Sequence, residues 1–382
     1  AVPLLENLYG YGPAMDWAKA LITDLEAWRA GKLEFAAIER TVVLASEPGL
    51  GKTTFARSLA KSAKVPFFPT SVSTWFANSP GYLDSIIKQI DQVFADAAAV
   101  APAILFLDEI ESIPNRATLD RRADWWIPVI GHMLLKLDSA ASGDSSKLIV
   151  IGATNHPEML DAALVRPGRL SKIIHIEKPD AEALAGIIRQ HLGTDLPDGD
   201  LDGVAKLAVG ASGAEVADWV KAARRFARQA HRPLVLDDLV NQIIPPETRS
   251  PELVRRIAVH EAAHAVVSHV LAAGSVTAVS IVSRRASEGG YTSTTWGSAG
   301  LLVRNEIEAG ATVCLAGRCG EQVLLGPVSS GAGGHHDSDL ARATNLLALI
   351  HTSLGLGEQL LHRATPQTVV DLLVMDPVLS SL

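Results

Sequence analysis

The chain has 382 residues, 48% apolar and 20% charged, with a formal net charge of −8. That length holds two or three domains, each with its own core. The acidic balance weighs against nucleic acid as the main partner, because such binding depends on Lys and Arg neutralising phosphates.

The opening "AVPLLENLYG" has no basic start and no long apolar run, so it does not read as a signal peptide. The chain begins at Ala1 rather than a methionine, as a processed form or a fragment does. Two cysteines, Cys314 and Cys319, lack CxxC spacing and read as small apolar residues; a reducing, cytoplasmic setting is expected. The stretch "AVVSHVLAAGSVTAVSIV", 265–282, is long enough to be weighed as a membrane span. Gly274-Ser275 interrupts it and its second half alternates, so a buried helix followed by a strand is expected instead.

Up to about residue 180, short apolar runs ("TVVLAS", "ILFLDE", "LIVIGATN") alternate with helical patterns such as "KTTFARSLAKSA". Continuous apolar runs suit strands of a parallel sheet buried on both faces, so a doubly wound α/β domain is expected over 1–179. A helical domain is expected over 180–245. The polar, Pro-rich "PPETRSPEL" reads as a linker (246–253), followed by a mainly helical domain over 254–382.

"SEPGLGKTTF" follows a strand and opens a helix, the context a phosphate-binding loop needs. Backbone N–H groups from Ser46, Glu47, Pro48, Gly49, Leu50 and Gly51 onward would cradle phosphates (Pro48 supplying only shape), and Thr54 continues the helix start. Lys52 would reach the outer phosphates, and the Thr53 hydroxyl would ligate Mg²⁺. "ILFLDEIE" ends in Asp108, suited to the Mg²⁺ shell, and Glu109, suited to polarising an attacking water.

These two elements resemble those of the AAA+ ATPases. The resemblance implies a P-loop module with a helical lid, binding ATP or ADP. It makes Asn155 in "IGATNHP" the sensor of the terminal phosphate. Arg166 and Arg169 in "LVRPGRL" become arginine fingers, which implies a ring, usually a hexamer. His191 and the "GASGAEV" residues Gly213 and Ala214 become lid contacts to the nucleoside. Trp75 and Phe76 stand at the family's aromatic pore loop, with Tyr82 as a rival pore residue.

"RRIAVHEAAHAVVSHVL" holds His260, Glu261 and His264. On a helix, positions i and i+4 share one face, so the two histidines can share one ion, with Glu261 beside them to deprotonate a water. A third protein ligand is needed, and "HHDSDLARATN" offers His335, His336, Asp337 and Asp339; spacing does not choose among them. The series "HEAAHAVV", "LAGRCGEQVLLG", "DSDLARATN" is similar to the peptidase domain of the FtsH family of ATP-dependent zinc proteases. That resemblance implies Asp339 as the third zinc ligand and "GGYTST" (289–294) as a substrate-edge strand.

Departures from the family pattern include Ser46 for the first P-loop glycine and Asp138-Ser139-Ala140 for an intersubunit "DGF". The N-terminal membrane helices are not in this sequence, although a full-length form is expected to sit at the cytoplasmic face of a membrane if it has them. The sequence ends at "VMDPVLSSL", where the family continues. The expected function is an ATP-driven zinc protease acting on unfolded or damaged polypeptides; the alternative is an unfoldase whose C-terminal domain does not cleave. A nucleic-acid motor is the third reading, and the acidic balance does not support it.

Overall fold

The structure, a computed structural model, describes residues 2–79, 81–117, 123–142, 147–244, 247–282, 289–295, 302–358, 360, 362 and 363. The "VMDPVLSSL" end lies outside the described residues. The chain divides into two compact units, Ala1–Pro245 and Pro246–Leu382.

In the first unit, helix α1 (Pro13–Arg29) precedes a parallel sheet and its crossover helices. The chain runs β1 (Thr41–Ala45), α2 (Lys52–Ala63), β2 (Phe67–Ser71), α3 (Val72–Ala77), α4 (Leu83–Ala99), β3 (Ala103–Asp108), α5 (Ala123–Ser142), β4 (Leu148–Thr154) and β5 (Ile173–His175). The five strands lie in the order β2-β3-β4-β1-β5, every pair parallel. Parallel strands bury both faces, and the alternation of side chains shows it. Val42, Leu44, Ile104, Phe106, Ile149 and Ile151 pack with α1 and α2 on one face. Val43, Leu105, Leu107, Leu148 and Val150 pack with α4 and α5 on the other.

Two of these strands are not legible as apolar runs. β5 has three residues, and β2 reads "FFPTS" with a proline inside. β2 tolerates Pro69 because it is the last strand of the sheet. The amide of Ile104 donates to the carbonyl of Pro66 at 2.9 Å. With a period of two, residues 66, 68 and 70 then face β3, and the N–H that Pro69 lacks would have pointed away from the sheet.

Four helices follow: α6 (Ala181–Leu192), α7 (Leu201–Leu207), α8 (Gly213–Gln229) and α9 (Leu236–Ile243). They close their own core around Leu184, Ile188, Val204, Val216, Val220 and Leu239. Side-chain caps start three of them: Asp180, Asp200 and Ser212, the last in a reciprocal box with Glu215.

The second unit contains α10 (Pro251–Val270), the antiparallel pair β6 (Ser275–Ser280) and β7 (Tyr291–Thr295), α11 (Arg304–Leu325) and α12 (Asp339–Thr352). The helix-then-strand reading of 265–282 matches the end of α10 and β6. Among the described residues, no helix is long and apolar enough to cross a membrane. α10 starts at a Ser250 cap with Pro251 in its first turn. Arg249 donates to the carbonyls of Ile281 (2.9 Å) and Gly289 (2.8 Å), which ties the inner ends of β6 and β7 to the start of α10.

Candidate active sites

In the first unit, β1 delivers the chain into the turn Ser46–Gly51, and α2 begins at Lys52. Gly49 and Gly51 take φ values of +83° and +79°, a region open mainly to glycine. These conformations lead the turn directly into the start of α2, the backbone arrangement that anion sites use. Lys52 Nζ donates to Asn155 Oδ1 (2.7 Å), Ser46 Oγ (2.8 Å) and the Ser46 carbonyl (3.0 Å). Burial lowers the Lys52 pKa, against Asp108 and Glu111, which raise it. Thr53 Oγ1 donates to Asp108 Oδ2 at 3.2 Å, so the hydroxyl and carboxylate suited to magnesium already touch. Glu109, exposed at the strand end, takes a left-handed backbone (φ +51°), an uncommon conformation for a residue with a side chain. The Asn155 amide donates to Glu111 Oε1 (3.1 Å), a carboxylate that sequence reasoning did not single out.

Other expected residues of this unit fall in different surroundings. Leu50 and Ser46 are buried, and Glu47 pairs with Lys178 at 2.8 Å. Pro48 and Thr54 are exposed. The Ala214 amide donates to the Gly49 carbonyl (3.2 Å), so the start of α8 meets the P-loop, and Gly213 precedes it. His191 is half-buried in α6; burial lowers its pKa, and the positive charges of Lys221 and Arg224 add to that. Tyr11, also missed, sends its hydroxyl to the Gly51 carbonyl (3.2 Å), and burial pushes its pKa up to about 12.

The two expected arginine fingers differ. Arg166 is exposed. Arg169 is bound within its own chain: Nε and Nη2 donate to the two oxygens of Asp138 at 2.6 and 2.7 Å, and Nη1 donates to the Ala163 carbonyl. The pore-loop expectation also needs correction at Trp75. Its side chain is 2% exposed, and its indole N–H donates to Thr70 Oγ1 at 2.8 Å, so it belongs to the core. An alternating reading of "STWFANS" cannot distinguish the two aromatics, but α3 turns one inward and one outward. Phe76 (37% exposed) stacks 5.5 Å from Trp125, and Tyr82 is 71% exposed.

In the second unit, α10 presents His260, Glu261 and His264, all buried. Asp339, the first residue of α12, lies against both histidines: its Oδ2 is 3.1 Å from His260 Nε2 and 3.3 Å from His264 Nε2. Of the four downstream candidates, Asp339 joins the group; His336 instead pairs with Asp337 at the surface, and His335 is exposed.

The opposite edge of each ring fixes its tautomer. His260 Nδ1 donates to Glu321 Oε1 (2.8 Å), and His264 Nδ1 donates to the Val313 carbonyl (2.7 Å), because neither a carboxylate nor a carbonyl can donate. A neutral imidazole so held carries its lone pair on Nε2. Two such nitrogens and a carboxylate oxygen therefore converge, all within 4.8 Å of one another. Three electron pairs facing one point repel unless a cation lies between them, so the donor set fits a metal ion. Two imidazoles and one carboxylate are a set that zinc takes with an open fourth position. Gly317 of α11 packs directly against both imidazole rings; a Cβ there would collide with His260 and His264.

The charges agree with this geometry. Burial opposes ionisation of Asp339, but when protons rather than an ion occupy the two Nε2 positions, the hydrogen bonds and charges of His260 and His264 outweigh it and hold the carboxyl well below its usual range. Burial works to lower the His260 pKa, yet Asp339 and Glu321 raise it overall: the ring sits where positive charge is favoured. Burial lifts Glu261 above the ordinary carboxylate range, only partly offset by Thr292. Thr292 Oγ1, on β7, lies 2.8 Å from Glu261 Oε2. Glu321 and Thr292 are among the residues that sequence reasoning left without a role, although both sit in quoted stretches.

Comparison with known proteins matches this arrangement to two families. The family described as "ATPase family associated with various cellular activities (AAA)" matches residues 42–178, and "Peptidase family M41" matches residues 247–372. The chain thus joins a nucleotide-binding motor module to a metallopeptidase domain. It is 33% identical over 341 residues to "ATP-dependent zinc metalloprotease FtsH 3" of Sphaerobacter thermophilus, covering 86% of this chain and 68% of that one. With "ATP-dependent zinc metalloprotease FtsH 1" of Sorangium cellulosum the identity is 36% over 357 residues (87% and 55%). With FtsH of Thermotoga maritima it is 34% over 340 residues (85% and 54%). The chain belongs to the FtsH family of ATP-dependent zinc metalloproteases. It spans 68%, 55% and 54% of these three relatives, so it corresponds to about half to two thirds of their length.

Proposed function

We propose that this chain is an ATP-driven protease that pulls polypeptides through a ring and cleaves them at a zinc site. The observation that carries the reading is the convergence of His260, His264 and Asp339 beside a buried Glu261, on a chain that also holds a P-loop. His260, His264 and Asp339 would hold the ion, which supplies Lewis-acid polarisation when bound. Glu261, lifted above the usual carboxylate range, is suited to take the proton of the attacking water and return it to the leaving amine. β7 offers its outer edge to an extended substrate, which would add as a further strand.

In the motor module, Lys52 and the amides of the Ser46–Gly51 turn would hold the ATP phosphates, with magnesium on Thr53 and Asp108. Glu109 would orient and deprotonate the attacking water, Asn155 would sense the terminal phosphate, and His191, Gly213 and Ala214 would border the nucleoside. Arg166, exposed, is suited to reach a neighbouring subunit's nucleotide. Those roles imply a homo-oligomeric ring, a hexamer. Phe76 and Tyr82 take the pore role in place of Trp75, gripping unfolded polypeptide through apolar contact. No nucleic acid is needed, and the proposed setting is the cytoplasm, at the face of a membrane if the longer protein has an anchor.

The test is degradation of unfolded casein by purified protein with ATP, Mg²⁺ and Zn²⁺. Cleavage that requires ATP and disappears in Lys52→Ala and His264→Ala supports the reading. Unfolding of a substrate without any cleavage, in protein that holds zinc, would leave the non-proteolytic unfoldase instead.

A further inference from the structure

Among the described residues, Glu321 is the most enclosed carboxylate of the second unit, and it does more than face one histidine. Its side chain is 2% exposed. Each of its oxygens accepts from two donors. Oε1 accepts from His260 Nδ1 (2.8 Å) and Ser329 Oγ (2.9 Å). Oε2 accepts from Arg256 Nη1 (2.8 Å) and the Ser329 amide (2.8 Å). The same Arg256 nitrogen also donates to the Pro327 carbonyl at 2.6 Å.

These partners come from separate parts of the unit. Arg256 lies four residues before His260 on α10, so both project from one face of that helix. Glu321 is on α11. Pro327 and Ser329 belong to the segment that leaves α11 and leads to Asp339 at the start of α12. One carboxylate therefore fixes a ligand on α10 and anchors the chain that delivers the ligand on α12. Arg256 is the only one of its partners that brings a fixed positive charge and a second tether on that segment.

We propose that Arg256 is a positioning residue for the zinc site: by holding Glu321 Oε2 and the Pro327 carbonyl, it sets the orientation of His260 and the placement of Asp339. This rests on the zinc-site reading above. Arg256 touches neither ligand directly, so its action is through Glu321 and the 327–329 segment. Without the guanidinium, Oε2 keeps only the Ser329 amide, and a buried carboxylate is left without its countercharge. Such a group turns toward whatever positive charge remains, and the imidazole it orients turns with it. Ser329 is the neutral part of the same hub: its loss removes one donor from Oε1 and leaves the charge pair intact.

The experiment measures Zn²⁺ affinity of the full chain by competition with a chromophoric chelator, together with the visible absorption of the Co²⁺-loaded protein. Wild type, Arg256→Met, Arg256→Lys and Ser329→Ala are compared, with melting of the metal-free proteins as a fold control. Arg256→Met is expected to weaken Zn²⁺ binding by about 10- to 100-fold, the range for partners behind a metal ligand, and to change the Co²⁺ spectrum. Arg256→Lys, whose ammonium can donate to both acceptors, is expected to recover most of the affinity. Ser329→Ala is expected to lie between wild type and Arg256→Met. Wild-type affinity and an unchanged Co²⁺ spectrum in Arg256→Met would overturn the proposal. Should Arg256→Met not fold, Arg256→Gln keeps a donor without the charge, and wild-type affinity there overturns it equally. A wild-type chain that binds no Zn²⁺ would instead sink the zinc reading itself.

Discussion

The two sites of this chain are built on opposite plans. The nucleotide site sits at the ends of parallel strands, where a backbone turn supplies the donors and side chains reach across a gap to one another. Lys52 at the start of α2 touches Asn155 just past the end of β4, and Thr53 touches Asp108. The peptidase site lies between helices, and each histidine is held from behind: His260 by Glu321, His264 by the Val313 carbonyl. The first plan suits a ligand that comes and goes with each turnover, because its side chains have partners to exchange. The second suits an ion that stays, because its ligands are already aimed.

Substitutions at the two sites test this contrast directly. The largest effect is expected from Arg166→Ala, which should lower ATPase turnover about 10³-fold or more if the guanidinium stabilises charge on the transferring phosphoryl group. Arg169→Ala should act mainly on stability, since that side chain is bound to Asp138. Equal ATPase losses in the two, with unchanged melting, would mean that the Asp138 bond opens in the assembled ring.

Glu261→Gln should cut peptide hydrolysis by about 10²- to 10⁴-fold. Zinc content and basal ATPase rate should stay near wild type. Zinc loss in this variant would make Glu261 a ligand rather than a base.

Acid should separate the sites next. The metal-free pKa of His260 is raised above 6.5, so protons compete for the ligand set from above that pH, increasingly as pH falls. Zinc affinity should drop by about tenfold per pH unit or more between about pH 7.5 and 5.5, read as zinc retained after dialysis. A flat profile would show that the histidines are not ligands.

A smaller effect belongs to Asp161, which accepts from Arg116 Nε (2.7 Å) and Nη2 (3.0 Å) and from two backbone amides. The Arg116 side chain holds its pKa well below 3.8, so its stabilisation is complete above 3.8 and fades as pH falls further. Asp161→Asn should destabilise the ATPase unit by about 2 kcal/mol at neutral pH. The gap from wild type should close in strong acid, measured by denaturant melts.

How much of this was legible in the sequence depends on what kind of contact makes the site. The P-loop, the Asp108-Glu109 strand end and the His260–His264 pair are local patterns, each set by one turn or one helix face. Asp339 was reached through family resemblance, since spacing left four candidates open. Glu321, Arg256, Thr292 and Gly317 were not assigned roles because their work is done across elements: a buried acid looks like any other acid in a helix. Trp75 misled for the same reason, since its burial is decided by the Thr70 hydroxyl and the core beneath α3. β2 and β5 were missed because three residues, or a proline, do not make a strand pattern.

Pro69 also governs how the β2 edge meets other chains. On the proposed function the chain would meet loose strands at high local concentration, and the end of a parallel sheet is a template on which such strands can add. At the β2 end, the amide missing from Pro69 removes one rung from that template. The edge is thereby a poor seed for aggregation or for capture of the protein's own substrates, while the strand keeps its full pairing with β3.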